Sequence, residues 1–291
     1  MSAIVRTVGG DISPAELGVC DAHEHLLLVS PLLPGDELND VEIATQEATA
    51  LARAGASAVV EWTPIALGRD VRGLEQVARA TGLHVIASTG LHRDAHYPEG
   101  HWARLARIDQ LAERFASELL EGIDGSEIRA GAIKCGGGYQ HLTTFEESVI
   151  AASAAAHVAS GAPVCVHTEL GTLAPELLER LVSDGVAAGS VILAHLDRNP
   201  DPGLHRELVA AGAWLEYDRA GRIKYGPDSQ VIELIDAVGP ERILLGGDHA
   251  RRNEHPIDYL FRRFVPRLDG ATAQQILIDN PAKAFAWEPR R

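Results

Sequence analysis

Eight short apolar runs, each followed by a helical pattern, constrain this chain more than any other feature. The runs are Gly18–Cys20 leading into His23, Ser57–Thr63, Leu83–Thr89, Ala130–Cys135, Pro163–Thr168, Ser190–His195, Ala213–Tyr217 and Arg242–Gly247. Most are β-branched or small and are apolar on both faces, as parallel strands buried on two sides must be. The intervening segments carry helix signals. Asn39-Asp40 precedes a helix over about Val41–Ala54 that Gly55 ends. Thr144 precedes Phe145–Ser160, with Glu146 and Glu147 in the first turn and Gly161 behind; Asp228 or Ser229 can cap Gln230–Val238. Eight such units predict an α/β fold of the closed (β/α)8 TIM-barrel type, with residues 1–291 as a single domain. The length of 291 residues suits it, since such barrels run to about 250 residues before insertions. No Gly-x-Gly-x-x-Gly follows the first run, which argues against a dinucleotide fold. The Gly136-Gly137-Gly138 triplet lacks the Lys-Ser/Thr that would make it a phosphate loop.

Composition removes several function classes. Hydrophobic residues make up 46%, enough for a sizeable core, yet no apolar run reaches 18 residues, so no membrane span is expected. With 26 basic against 41 acidic residues the formal charge is −15, and no dense basic stripe offers itself to nucleic acid. The opening MSAIVRTVGGD has no apolar stretch of the signal-peptide kind, so a cytoplasmic setting is the default expectation. Cys20, Cys135 and Cys165 form no Cys-x-x-Cys motif and read as reduced, buried thiols. The expected partner is a small-molecule substrate, with no nucleic acid and no membrane; self-association into a homodimer stays open.

Functional groups of this fold come from the C-terminal ends of the strands. The first run ends in Asp21-Ala22-His23-Glu24-His25. Residues two apart on a strand share a face, so His23 and His25 can point together into the barrel mouth while Glu24 points away. The fourth run carries Lys134, the fifth ends at His167, the sixth at His195 and the eighth at Asp248. Four imidazoles, a carboxylate and a lysine then converge on one rim, a set suited to zinc and neighbouring divalent metals. Each has a blander reading. A lone histidine on an apolar strand is more often a hydrogen-bonded core residue, and an aspartate at a strand end is often a helix cap. A lysine inside a barrel is costly without a partner, which Glu169 or Asp248 could supply. Burial also favours the neutral amine, which can add carbon dioxide to become an anionic carbamate able to bridge two metals.

The markers AHEHL, STG, GAIKC, VCVHTELG, VILAHLDRNPD, AGRIKYGPD and LLGGDHARR occur in this order from VRTVGGDISPAELG to ILIDNPAKAF. In this the chain resembles the phosphotriesterase-like branch of the amidohydrolase superfamily. The resemblance implies a distorted barrel with two divalent ions, usually zinc, with manganese, cobalt or iron as alternatives. It implies that His23, His25 and Asp248 hold one ion, that His167 and His195 hold the other, and that carboxylated Lys134 and a hydroxide bridge them. Asp248 would take up the hydroxide's proton, helped by His195; Glu24 and Cys135 receive no part. Within the family, the AGRIKYGPD segment and Arg251 look like those of hydrolases of phosphorylated sugar lactones, so Lys224 and Arg251 are the expected phosphate grip. A phosphate suits a lysine point charge and an arginine fork, although solvated loop cations, or pairs with Asp218 and Asp228, are the simpler alternative. Tyr225, Arg219, His92 and His249 are further candidate substrate contacts. Two features depart from the pattern: Thr89-Gly90-Leu91-His92 stands where Thr-Gly-x-Tyr is usual, and Asn253-Glu254-His255-Pro256 leads almost directly to a helix at Ile257 in place of a longer aromatic loop. Lactone opening is therefore the leading expectation. A phosphotriesterase or other phosphoester hydrolase, an amidase, and a metal-binding protein without catalysis are the alternatives.

Overall fold

The computed structural model describes residues 2–252 and 255–290. Eight parallel strands form one sheet in sequential order: Cys20–Glu24, Ala58–Glu61, His84–Gly90, Ala132–Gly137, Val164–Thr168, Val191–Ala194, Trp214–Tyr217 and Ile243–Leu245. The backbone N–H of Asp248 donates to the His23 carbonyl at 2.7 Å, which brings the last strand against the first and nearly closes the barrel. Each strand falls within or beside one of the apolar runs, because parallel strands covered on both faces leave no room for polar alternation.

Two apolar layers follow from that geometry. Inside the barrel, Cys20, Ala58, Val60, Trp62, Ile86, Ala132, Cys165, Ile192 and Leu244 pack together. Between barrel and helices, Leu51, Val59, Leu74, Val85, Phe115, Ile133, Val166, Leu177 and Leu215 form a second core. Cys135 belongs to this outer layer, and all three thiols are buried and free. An N-terminal antiparallel hairpin, Val5–Thr7 with Gly10–Ile12, lies beneath the barrel, where Val8 N–H donates to the Val85 carbonyl at the start of the third strand. Its short strands carry no eightfold signal and are not foreseen by the repeat.

The first helix spans Val41–Ala54 as expected, with the Asp40 carboxylate accepting from Glu42 N–H and Ile43 N–H and Gly55 left-handed at φ 113. The helix Thr144–Ser160 begins one residue early. Thr143, not Thr144, is the cap, and it completes a reciprocal capping box with Glu146. The helix Asp228–Val238 likewise starts before Gln230, following Pro227. The chain beyond the last strand reaches a π-helical turn only at Leu260–Phe264, so no regular helix starts at Ile257. Asn253 and Glu254 of that shortened segment lie outside the described residues. Among the described residues no helix is long and apolar enough to cross a membrane.

Candidate metal centre and substrate cavity

The C-terminal mouth of the barrel opens into a cavity of about 180 Å³. His23, His25, Lys134, His167, His195 and Asp248 all line it, as do His92, Lys224, Tyr225 and Arg251. Two of the ligand candidates sit on unusual backbone. His195 and Asp248 are left-handed, with φ of 65° and 46°. Non-glycine residues adopt that region at a cost of about 1–3 kcal/mol each, which the surrounding fold must supply. In both cases the turn swings a side chain from the strand direction into the mouth.

Protonation states can be read from the outer partners of each ring. Burial above all holds His167 and His195 neutral, so each ring carries one proton. The Asp218 carboxylate lies against His195 Nδ1, and the Glu169 carboxylate lies 3.0 Å from His167 Nε2. Carboxylates accept, so the protons sit on those outer nitrogens. The inner nitrogens, His195 Nε2 and His167 Nδ1, then face each other at 2.7 Å as two bare lone pairs. Such a contact is repulsive unless a cation lies beside it.

A second cluster adjoins the first. His23 Nε2 and His25 Nε2 each lie 3.6 Å from Asp248 Oδ1, and His23 Nε2 is buried with no hydrogen-bond partner among the described residues. Their Nδ1 atoms are turned outward, His23 to Glu216 Oε2 at 3.1 Å and His25 to Thr63 Oγ1 at 2.8 Å. The three side chains form a group close enough to share one ion. Burial drives both imidazoles toward the neutral form, His25 down to about 3. Burial pushes the Asp248 carboxyl up, but Arg222 foremost, with His23, His195 and Arg198, carries it well below the usual carboxylate range. Neutral imidazoles around an ionised carboxylate are what a divalent cation binds, so the donor set fits a metal.

Lys134 lines the same cavity with 1% of its surface exposed, its Nζ 4.1 Å from the centroid of the Trp62 ring. Among the described residues it forms no ion pair with Glu169 or Asp248. Burial draws its pKa down to about 8. Trp62 is the floor of the site: its ring stacks on His23 at 3.9 Å, and its Nε1–H donates to the Ala22 carbonyl at 2.7 Å. Gly90 makes the close approach of the third strand possible. It has φ +93°, and a Cβ there would stand 2.0 Å from the Lys134 carbonyl oxygen.

The rim supplies the remaining chemistry. Lys224 is exposed, with Nζ 4.9 Å from the Tyr225 ring centroid; Arg198 lies over the same ring at 5.0 Å. Arg251 reaches Asp36 Oδ2 at 3.5 Å, and among the described residues neither Lys224 nor Arg251 forms an ion pair with Asp218 or Asp228. His92 stacks on His96 at 4.1 Å and meets His167 edge-on at 4.7 Å.

Two candidates lie outside the cavity lining. The Arg219 guanidinium runs beneath the following loop to the Tyr225 carbonyl and Gln230 Oε1, so it supports the loop that carries Lys224. The His249 N–H is tied to Glu24 Oε2 at 2.9 Å, which sends the ring behind the site, 3.7 Å from Glu47. Glu24 itself points away from the mouth, as expected, and bonds the backbone there. Other groups were not foreseen. Arg198 bridges Asp218 and Asp248, and Arg222 binds Asp248 Oδ2 at 2.6 Å. Glu216 and Asp218 are missed too, although they stand two apart at the end of the seventh strand, the same spacing that His23 and His25 have at the end of the first.

An eight-stranded barrel with imidazole and carboxylate donors gathered at its C-terminal mouth has the architecture of a metal-dependent hydrolase. Residues 3–285 match the model of the phosphotriesterase family, and the chain belongs to that family of hydrolases. A phospho-furanose lactonase of Mycoplasmopsis agalactiae is 30% identical, over 98% of this chain and 92% of its own. The crystal structure of a lactonase from Listeria monocytogenes superposes with a TM-score of 0.92 at 29% identity, covering 98% of this chain and 99% of that one. The phosphotriesterase homology protein of Escherichia coli, solved with phosphate in its active site, gives a TM-score of 0.86 at 30% identity over 93% of this chain and 99% of its own.

Proposed function

We infer that this hydrolase opens sugar lactones that carry a phosphate, using two zinc ions. The observation that carries the reading is the pair of bare imidazole nitrogens 2.7 Å apart beside the His23–His25–Asp248 group, in one cavity whose rim bears Lys224 and Arg251. His23, His25 and Asp248 would hold one ion, and His167 and His195 the other. Lys134, neutral in part near pH 8, would lose a proton and bond through Nζ to carbon dioxide, giving the anionic bridge between them. Divalent ions in this position acidify a water and polarise the scissile carbonyl.

The chain's own groups do the rest. Asp248 is the carboxylate placed to take the water's proton, and His195 backed by Asp218 stands beside it. Trp62 and the barrel core close the floor against bulk water. Lys224 and Arg251 hold the phosphate, Arg251 exchanging its Asp36 contact for the substrate, and Tyr225 carries Lys224 on its ring face. His92 presents a neutral imidazole to the other side of the substrate. The phosphate part of this reading draws on the lactonase named for phospho-furanose substrates and on the phosphate in the Escherichia coli relative. The setting inferred is cytoplasmic.

The test is a matched panel of phosphorylated and free sugar lactones, with an aryl phosphotriester alongside and zinc content measured on the same sample. Fastest turnover on a phosphorylated lactone supports the reading. Faster turnover of the triester would transfer the protein to phosphoester hydrolysis, and equal turnover with and without the phosphate would remove the role of Lys224 and Arg251.

A further inference from the structure

We propose that Glu169 and Arg93 are a positioning pair that fixes His167 as a ligand through Nδ1, so that they control the affinity of one metal position and leave the other alone. The inference rests on the metal-centre reading above. Glu169 follows the fifth strand directly, two residues after His167, and Arg93 follows the third strand. Their loops meet over the mouth, where both residues line the cavity. Glu169 Oε2 lies 3.0 Å from His167 Nε2 and 3.0 Å from Arg93 Nη1.

The consequence is a tautomer. A neutral imidazole carries its proton on either nitrogen, and the group facing one nitrogen decides what the other can offer. With the carboxylate accepting from Nε2–H, Nδ1 is left as a lone pair aimed at His195 Nε2. Without it the ring could place its proton on Nδ1, which would block metal binding and turn a donor toward His195. Arg93 keeps the carboxylate on station, because Glu169 sits at the open mouth, with 23% of its side chain exposed, and would otherwise rotate into solvent. The other three imidazoles have separate partners: His195 has Asp218, His23 has Glu216 and His25 has Thr63. Loss of Glu169 therefore touches only the His167–His195 position. Carboxylate partners of this kind alter metal affinity by about 10–100-fold when removed.

Zinc binding by the full-length protein, measured by competition with a chromophoric chelator, tests this, with the visible spectrum of the cobalt-loaded protein as a second readout. Wild type should take two ions. Glu169→Ala should bind one ion as wild type does and the second about 10–100-fold more weakly, with one of two cobalt environments altered and the melting temperature of the metal-free protein unchanged. Glu169→Gln retains an oxygen that accepts from Nε2–H and should lie between the two. Arg93→Ala should weaken the same ion by less. Wild-type affinity for both ions in Glu169→Ala overturns the proposal. So does equal weakening of both ions together with a lower metal-free melting temperature, since that marks a structural role. A wild-type protein that holds no zinc overturns the metal-centre reading and this proposal together.

Discussion

Replacing Lys134 with methionine should make the metal-free protein more stable and leave it without a function. Methionine roughly preserves the volume and can pack its thioether on Trp62, so the change removes chiefly a charge. Lys134 is 1% exposed, and burial, the largest influence on it, lowers its pKa from 10.5 to about 8. A shift of 2.5 units corresponds to about 3 kcal/mol at 1.36 kcal/mol per unit. The sign follows from proton counts. Below pH 8 both folded and unfolded chains carry the ammonium, and the folded state bears its full burial cost. Between pH 8 and 10.5 the unfolded chain holds a proton that the folded chain does not, so wild-type stability rises with pH. Above 10.5 the cost is gone. Denaturant unfolding of both proteins, stripped of metal in carbon-dioxide-free buffer, should show Lys134→Met ahead by about 3 kcal/mol at pH 7, with the gap closing toward pH 10.5. The same variant should bind metal poorly and show no lactone turnover. A variant less stable than wild type at pH 7, or a gap that does not change with pH, would refute the argument that burial of this amine is what primes it.

Other perturbations probe separate parts of the account. Arg251→Ala should raise KM for phosphorylated lactones by about 10–100-fold, the loss expected for a hydrogen bond to a charged group of about 1.5–3 kcal/mol, and leave free lactones nearly unchanged; steady-state kinetics on matched pairs check this. Gly90→Ala should lower the melting temperature through a loss of at least about 1–3 kcal/mol, because φ +93° and a Cβ 2.0 Å from the Lys134 carbonyl act together. His205, buried and bonded through Nδ1 to the Tyr217 hydroxyl at 2.6 Å, is lowered by burial to about 4. Below pH 6.5 the unfolded chain gains a proton there that the folded chain refuses, so stability is full above pH 6.5 and falls by about 3 kcal/mol on the way down to pH 4. His205→Gln should flatten that part of the stability profile, as measured by denaturant midpoints across the pH range.

The fold was legible because a parallel barrel writes itself as repeated apolar runs, and the candidates that line the cavity were legible because they occupy the ends of those runs. His23 and His25 share a face by simple alternation, and His167, His195 and Asp248 each stand at or just beyond the end of a strand. What the sequence hid is of a different kind. Trp62 prolongs an apolar run, so nothing in the pattern separates the floor of the site from ordinary core. Arg198 and Arg222 lie in loop segments whose sequence pattern gives no sign that the fold brings them onto Asp218 and Asp248. Glu216 and Asp218 did leave a signal, two carboxylates at alternating positions where a buried strand ends. Arg219 and His249 sit in the right segments but turn away, because neighbouring backbone contacts, not spacing, set side-chain direction in a loop. The hairpin at Val5–Ile12 carries no barrel period; the structure ties it to the barrel by Val8 N–H on the Val85 carbonyl and by Arg6 on the Leu119 carbonyl.

The central claim is that the facing imidazoles and the His23–His25–Asp248 group are two metal positions serving one hydrolytic site. Stepwise zinc titration of stripped protein, with bound metal and turnover of a phosphorylated sugar lactone followed on the same sample, tests it most directly. The account predicts no turnover without metal and full turnover at two equivalents. Undiminished turnover by the stripped protein, or two bound zinc ions with no hydrolysis of any lactone, would contradict it.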